Sequence, residues 1–165
     1  MNSKKAGLLE KITVLLATGF GLGYSPFAPG TVGSLPGVIL VWFVNARYGL
    51  AIQVALAILL AAAAIPICSA AERHFGQKDD HRIVADEYMT FPICMLGLPP
   101  SPIVLGIAFV TNRLCDIIKP PPARGFQRFQ GGFGIVVDDV IACLYSLALN
   151  HVLYRLLLAS AKHWS

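Results

Sequence analysis

Acidic side chains are scarce in this chain, and most of them are grouped. Five of its nine Asp and Glu residues stand at three places, Asp86-Glu87, Asp116 and Asp138-Asp139. Neighbouring carboxylates repel each other, and a chain that is 56% hydrophobic and 13% charged must supply them with a counter-charge or water. A hard divalent cation such as Mg²⁺, bound through oxygen atoms, is the natural counter-charge at the ends of apolar segments. The pattern therefore predicts a metal site.

Basic residues and glycines surround the later acids. Lys119 opens a rigid, Pro-rich turn that ends at Arg124, and Arg128 lies four residues further on. The glycines of segment 131–134 then lead to Asp138. Glycine lets backbone N–H groups approach phosphate oxygens, and Lys and Arg side chains clamp those oxygens. With a cation, such groups stabilise the charge of a phosphoryl group, which indicates a combined phosphate and metal site.

Each motif also has a purely structural interpretation. Asp86 and Glu87 are placed to complement the dipole of a helix N-terminus. Arg113, Asp116 and Lys119 are spaced at i, i+3 and i+6, which on a helix gives a ladder of ion pairs at a membrane interface. The grouping of acids, cations and glycines favours the phosphate and metal interpretation over both.

The composition places these motifs in a membrane protein. With 165 residues, the chain is expected to form one domain, residues 1–165. Its mean hydropathy of +0.66 is too high for an ordinary soluble domain. Because lipid requires backbone groups to be satisfied within helices, we expect a small integral-membrane helical bundle of the all-α class. The net charge of +4 favours anionic lipid headgroups as partners, and no Lys or Arg run indicates nucleic acid.

Apolar segments predict the helices that position the motifs. Segment 50–71 carries no charge and is the clearest membrane span, because about 20 apolar residues cross a bilayer. Segment 19–37 is dense in Gly and Pro, which interrupts regular structure. The other helices are expected at 7–18, 36–46, about 83–98, about 103–118 and 139–160.

Three segments, 19–37, 72–87 and 113–139, carry all the motifs and are expected to share one face of the membrane. An even number of crossings between them meets this requirement, and a helical hairpin that turns at 99–102 provides two of those crossings. Most basic residues then lie on the motif face, which the positive-inside bias assigns to the cytoplasm.

Read together, these motifs resemble the phosphatidylglycerophosphatase A family. Each motif alone is weak, but the combination spans residues 17–140 in the family's order and is highly specific. The motifs are Ala17-Thr18-Gly19-Phe20-Gly21 with Ser25-Pro26 and Ala28-Pro29-Gly30-Thr31-x-Gly33-Ser34, then Val84-x-Asp86-Glu87, then Arg113-x-x-Asp116-Ile117-x-Lys119-Pro120-x-Pro122-x-Arg124 with Arg128, and finally Gly131-Gly132-x-Gly134-Ile135-x-x-Asp138-Asp139-Val140. Two positions depart from the family: Ala85 stands where Trp is frequent, and Gln127 stands where Asp is frequent.

The resemblance implies a helical, Mg²⁺-dependent lipid phosphatase that acts in bacterial phospholipid biosynthesis. It would convert phosphatidylglycerophosphate to phosphatidylglycerol and phosphate, as a multi-pass protein of the bacterial inner (cytoplasmic) membrane with its site facing the cytoplasm. The residues expected to bind Mg²⁺ and take part in catalysis are Asp86, Glu87, Asp116, Asp138 and Asp139, with Glu87 as the general base. The residues expected to bind the substrate are Lys119, Arg124, Arg128, Thr31 and Ser34. For Thr31 and Ser34, N-capping of the following helix is an equally open alternative.

Two other functions fit the sequence less well. A CDP-alcohol phosphatidyltransferase needs Gly after its first motif Asp and a D-x-x-x-D motif, whereas Asp116 is followed by Ile117 and no D-x-x-x-D occurs. A non-catalytic small membrane transporter or assembly protein would carry its acids at depth along helix faces. The sequence leaves the oligomeric state open.

Overall fold

The computed structural model of the chain is a bundle of α-helices. It describes residues 3–126, 129 and 131–159, and the side chains of 7–122, 125, 126, 129 and 131–156. The helices are α1 (Ser3–Ala17), α2 (Pro29–Gly33), α3 (Leu35–Arg47), α4 (Leu50–Phe75), α5 (Ala85–Thr90), α6 (Pro102–Ile118), α7 (Ala123–Phe126) and α8 (Gly132–Leu153), with 3₁₀ turns at Leu22–Tyr24 and Phe91–Met95 and a π-helical end at Tyr154–Ala159. No strand occurs in the described residues, and the predicted all-α class is confirmed.

Local sequence explains where the helices next to the motifs begin and end. Helix α4 ends at Gly76, which adopts a left-handed conformation (φ 68°) that glycine accepts without strain. Helix α6 begins after Ser101, whose side chain accepts a hydrogen bond from the Val104 N–H, and Pro102 fits the first helical position. The same helix ends at Lys119, also left-handed (φ 49°), and Pro120 prevents its continuation.

Helix α8 is the central element. It packs against α4, α5 and α6, and half of its apolar span is buried, compared with 17% for α4. Its first residue, Gly132, lies directly on α4, where a Cβ atom would come within 2.2 Å of the Ile65 carbonyl oxygen. The Gly132 N–H donates a hydrogen bond to Ser69 Oγ (2.8 Å), which fixes the start of α8 against α4.

Several predicted boundaries were wrong in informative ways. Helix α8 begins at Gly132 and not at 139, so Asp138 and Asp139 lie inside the helix and not before it. The helix expected at about 83–98 is the short α5 followed by a 3₁₀ turn that contains Pro92. The glycines of segment 131–134 were placed before the helix, whereas Gly132 permits close packing of α8 on α4. The other predicted helix ran through Pro92, where the α-helix instead gives way to a 3₁₀ turn.

Three helical segments are long and apolar enough to cross a membrane, as judged by length and composition. They are Pro29–Arg47, which joins α2 and α3, Leu50–Phe75 and Gly132–Leu156. Their outward side chains are apolar, as in Ile58 and Leu59, which are each 65% exposed. An apolar outer surface of this kind fits a lipid environment.

Candidate active site

All five acidic residues of the predicted site line one cavity of about 190 Å³. They reach it from α5, from the C-terminal half of α6 and from α8. Residues from the segments 19–37, 72–87 and 113–139 contribute to its wall. The lining residues are Pro29, Gly30, Lys78, Asp79, Asp80, His81, Ile83, Asp86, Glu87, Asp116, Lys119, Phe129, Gly134, Ile135, Asp138 and Asp139.

Asp86 and Asp139 form a buried acidic pair in the cavity lining. The two side chains, 53 positions apart in the chain, lie within hydrogen-bonding reach of each other and are 7% and 6% exposed. Asp86 Oδ1 and Asp139 Oδ2 are buried and have no hydrogen-bond partner among the described residues. Burial, together with the charges of Glu87 and Asp79, raises the pKa of Asp86 well above its usual range. Among the described residues, no ion pair joins either carboxylate to a Lys or Arg side chain.

Glu87 is held from two sides. Its Oε2 atom lies 2.9 Å from Ser34 Oγ and 2.9 Å from an Arg113 nitrogen. Burial raises the pKa of Glu87 to about 6, although Arg113 and Ser34 act in the opposite direction. A carboxylate with a pKa near neutrality suits a general base.

Two cations stand among the acids. Arg113 pairs with Glu87 and, at 3.3 Å, with Asp116, and its side chain is only 11% exposed. Lys119 forms an ion pair with Asp138 and also lines the cavity. The sequence spacing indicated the Arg113 and Asp116 pair, but it gave no sign that Arg113 also reaches Glu87 on a different helix.

The glycines of segment 19–37 allow this segment to lie directly on α5. A Cβ atom at Gly30 would lie 2.2 Å from Glu87 Oε1, and one at Gly33 would lie 2.4 Å from Val84 Cβ. A side chain at either position would therefore force its neighbour to shift. The glycines therefore bring the backbone of this segment close to Glu87 and Val84, and their approach to phosphate oxygens stays a prediction.

The loop between α4 and α5 forms a wall of the cavity that sequence reasoning did not assign. Asp79, Asp80 and His81 line the cavity there. Asp80 is almost fully buried and accepts hydrogen bonds from Arg82 Nε (2.8 Å) and from a terminal Arg82 nitrogen (2.6 Å). These hydrogen bonds lower the pKa of Asp80 to about 2. Arg82 in turn lies 4.0 Å from the centre of the Phe75 ring, so the loop is fixed to the end of α4.

The predicted substrate-binding residues do not all lie in the cavity lining. Lys119 lines the cavity. Ser34 is fully buried next to Glu87, and its side chain makes no capping hydrogen bond to α3. Neither Ser34 nor Thr31, which lies in α2, is among the described residues that line the cavity. The Arg124 side chain and the whole of Arg128 lie outside the described part of the chain.

The donor set fits a hydrated Mg²⁺ ion better than a closed metal cage. Within the described residues, no three histidine, cysteine or acidic side chains form a group that could hold a metal by themselves. Mg²⁺, however, is commonly held by one or two carboxylates, with water and phosphate oxygens completing its coordination. Asp86 Oδ1 and Asp139 Oδ2, which have no hydrogen-bond partner among the described residues, fit this kind of Mg²⁺ coordination. Glu87 and Asp116 line the same cavity.

The fold and the cavity together define a helical protein of membrane type, with an acidic cavity lined by residues of α5, α6 and α8. The family model for phosphatidylglycerophosphatase A matches residues 15–154 of this chain. The chain belongs to the phosphatidylglycerophosphatase A family, as the sequence motifs predicted.

Curated relatives agree with this family. The chain is 37% identical over 146 residues to the phosphatidylglycerophosphatase A of Haemophilus influenzae, with 87% of this chain and 89% of that protein covered. It is 34% identical over 157 residues to the protein of the same name from Escherichia coli K12, with 91% and 84% covered. A Bacteroides thetaiotaomicron protein, provisionally named a phosphatidylinositol-3-phosphatase, is 37% identical over 146 residues, with 84% and 91% covered. No solved structure is a significant match.

Proposed function

We propose that this protein is a membrane-embedded, Mg²⁺-dependent phosphatase that hydrolyses phosphatidylglycerophosphate to phosphatidylglycerol and inorganic phosphate. Family membership and the named relatives support the lipid phosphomonoester as substrate. The observation that carries the proposal is the meeting of five carboxylates from three helices in one cavity, where Asp86 Oδ1 and Asp139 Oδ2 have no hydrogen-bond partner among the described residues.

Each part of the cavity has a role in the proposed reaction. Asp86 and Asp139 would hold Mg²⁺, with Glu87, Asp116 and Asp138 binding it directly or through water. When bound, Mg²⁺ supplies Lewis-acid stabilisation of the charge on the phosphoryl oxygens. Lys119 would contact the phosphate, together with Arg124 and Arg128.

Glu87 is proposed to act on the nucleophile. A water molecule attacks phosphorus while Glu87 accepts one of its protons, so that a new P–O bond forms from the water oxygen. The bond between phosphorus and the glycerol oxygen breaks, and that oxygen takes a proton from solvent and leaves as the hydroxyl of phosphatidylglycerol. Glu87 then returns its proton to solvent. The products are inorganic phosphate and the lipid alcohol.

The proposed location is the bacterial inner membrane, with the cavity facing the cytoplasm. Arg73 lies in the last turn of α4, Lys78 and Arg82 lie in the loop that follows it, and Lys119 caps the C-terminus of α6, all on the cavity side. Arg47 lies at the opposite end, where α3 stops. This distribution follows the positive-inside bias, which supports the cytoplasmic orientation.

Phosphate release from purified protein in detergent micelles tests this function. We expect release from phosphatidylglycerophosphate that requires Mg²⁺ and stops when EDTA is added. Asp86→Asn and Asp139→Asn should each remove at least about 99% of the rate without unfolding the protein. A second arm with phosphatidylinositol 3-phosphate separates the two substrate names found among the relatives.

A protein without activity on either lipid, in the presence or absence of Mg²⁺, would support the non-catalytic transporter or assembly role instead. Normal turnover by either Asp→Asn variant at saturating Mg²⁺ would contradict the metal role of that residue. The control variant is Glu10→Gln, because Glu10 pairs with His74 at the surface and lies outside the cavity lining.

A further inference from the structure

The two oxygens of Glu87 have different surroundings. Oε2 lies 2.9 Å from both Ser34 Oγ and an Arg113 nitrogen, so its hydrogen-bonding capacity is occupied. Oε1 accepts no hydrogen bond within the described part of the chain. It faces Gly30, where an added Cβ atom would lie 2.2 Å from it. Both Glu87 and Gly30 line the cavity, whereas Ser34 and Arg113 are not among its described lining residues.

The groups that hold Oε2 are themselves fixed. Ser34 is fully buried, and its hydroxyl also lies 2.8 Å from the Gly30 carbonyl oxygen. Arg113 is 11% exposed and is held at 3.3 Å by Asp116, on the same helix. Glu87 on α5 is thus tied to the segment before α3 on one side and to α6 on the other.

We infer that Ser34 and Arg113 are positioning residues that anchor Glu87 Oε2 and turn Oε1 towards the cavity. This inference rests on the proposed function, in which Glu87 accepts the proton of the attacking water. A carboxylate that is fixed through one oxygen offers the other in a defined place, which lowers the cost of reaching the reactive geometry. The role differs from the direct substrate binding that the sequence predicted for Ser34.

The two roles differ in their kinetic signatures. A positioning residue affects the chemical step, so its loss lowers kcat and leaves KM nearly unchanged, whereas loss of a substrate contact raises KM. We expect Ser34→Ala and Arg113→Gln to lower kcat for phosphatidylglycerophosphate by about 10- to 100-fold, with KM within about twofold of the wild type. Arg113→Lys keeps the positive charge but cannot contact Glu87 and Asp116 at the same time as the guanidinium does. We therefore expect its kcat to lie between those of Arg113→Gln and the wild type.

Binding can be followed without turnover. Stabilisation of the protein by inorganic phosphate, measured as the rise in Tm, should be the same in Ser34→Ala as in the wild type. Matched controls come from the opposite end of the molecule, where Ser101→Ala removes one serine hydrogen bond and Arg47→Gln removes one arginine. Both controls should keep the wild-type kcat and KM.

Ser34→Ala decides the question if Arg113→Gln fails to fold, because it removes a single neutral hydroxyl. An unchanged kcat in Ser34→Ala, or a raised KM with loss of stabilisation by phosphate, would overturn the inference. Failure of the proposed function gives a different result, since the wild-type protein would then release no phosphate at all.

Discussion

At the scale of single residues, two carboxylate oxygens define the candidate metal site. Asp86 Oδ1 and Asp139 Oδ2 are buried, belong to residues that line the cavity, and have no hydrogen-bond partner among the described residues. Leaving such groups without a partner costs free energy, on the order of 1–3 kcal/mol for an ordinary polar atom and more for a charge. Natural folds retain costs of this kind mainly where function requires them, which is why we propose that the pair binds a metal ion.

Gly30 provides a test of how closely backbone must approach Glu87. A methyl group at this position would lie 2.2 Å from Glu87 Oε1, so Gly30→Ala must displace the carboxylate or the backbone. We expect a loss of kcat of about 10- to 100-fold in the phosphate-release assay. Gly106→Ala is the matched control, because its Cβ atom would meet nothing within 4 Å, and it should keep full activity and gain up to about 1 kcal/mol of stability. Equal activities in the two variants would contradict the close approach at Gly30.

Some of these residues could be predicted from the sequence, and some could not. Adjacent acids in an apolar chain are conspicuous, so Asp86, Glu87, Asp138 and Asp139 were found by type and spacing alone. The contact between Arg113 and Glu87 joins two helices, and a periodic pattern reports only neighbours on one helix. Ser34 was identified as a site residue, but its place behind Glu87 depends on packing that no local pattern encodes.

At the scale of elements, the glycines explain both the successes and the errors. The Gly and Pro density of segment 19–37 predicted irregular structure, and the segment contains only a 3₁₀ turn and the short α2 before α3 begins. The glycines of 131–134 were also expected to form a loop, yet they form the first turn of α8. Gly132 is required there by contact with α4, a tertiary constraint that overrides the low helix propensity of glycine.

The loop that joins α4 to α5 has a predictable dependence on pH. Hydrogen bonds from Arg82 lower the pKa of Asp80 to about 2, below the value near 3.9 of an unfolded chain. The folded state therefore favours the ionised carboxylate, and this stabilisation is complete above about pH 4 and is lost as the pH falls towards 2. We expect Asp80→Asn to lower Tm by about 3–6 °C at pH 7 and by progressively less below pH 4.

Thermal unfolding of both proteins between pH 7 and pH 2 measures this difference. Glu10→Gln is a suitable comparison, because Glu10 pairs with His74 at the surface and is 59% exposed. Its effect on Tm should be small at every pH. A difference between the wild type and Asp80→Asn that does not change with pH would show that the ion pair does not stabilise the loop.

At the scale of the whole molecule, polar contacts organise the end opposite the cavity. Asn45 Nδ2 donates to the carbonyl oxygens of Met95 and Leu98, and His151 Nε2 lies 2.9 Å from the Leu96 carbonyl oxygen. Helix α4 has 26 residues and is about 39 Å long, enough to separate the two ends by the thickness of a bilayer. The exposed apolar belt lies between them.

This arrangement predicts which loops reach the cytoplasm. Gln77 lies in the loop on the cavity side, and Tyr48 lies at the opposite end between α3 and α4. In intact cells, a membrane-impermeant maleimide should label Tyr48→Cys, and it should label Gln77→Cys only after the inner membrane is opened. The protein without an added cysteine measures the background from Cys115, which is half-buried. Labelling of Gln77→Cys in intact cells would reverse the proposed orientation.

Binding of Mn²⁺ to the purified protein is the most direct test of the central claim that Asp86 and Asp139 hold a divalent cation together. Mn²⁺ prefers the same oxygen ligands as Mg²⁺, and its free concentration can be read by electron paramagnetic resonance. We predict binding that Mg²⁺ displaces and that Asp86→Asn and Asp139→Asn each weaken by about 10- to 100-fold, with Ser101→Ala unchanged. Wild-type affinity for Mn²⁺ in both aspartate variants would contradict the account.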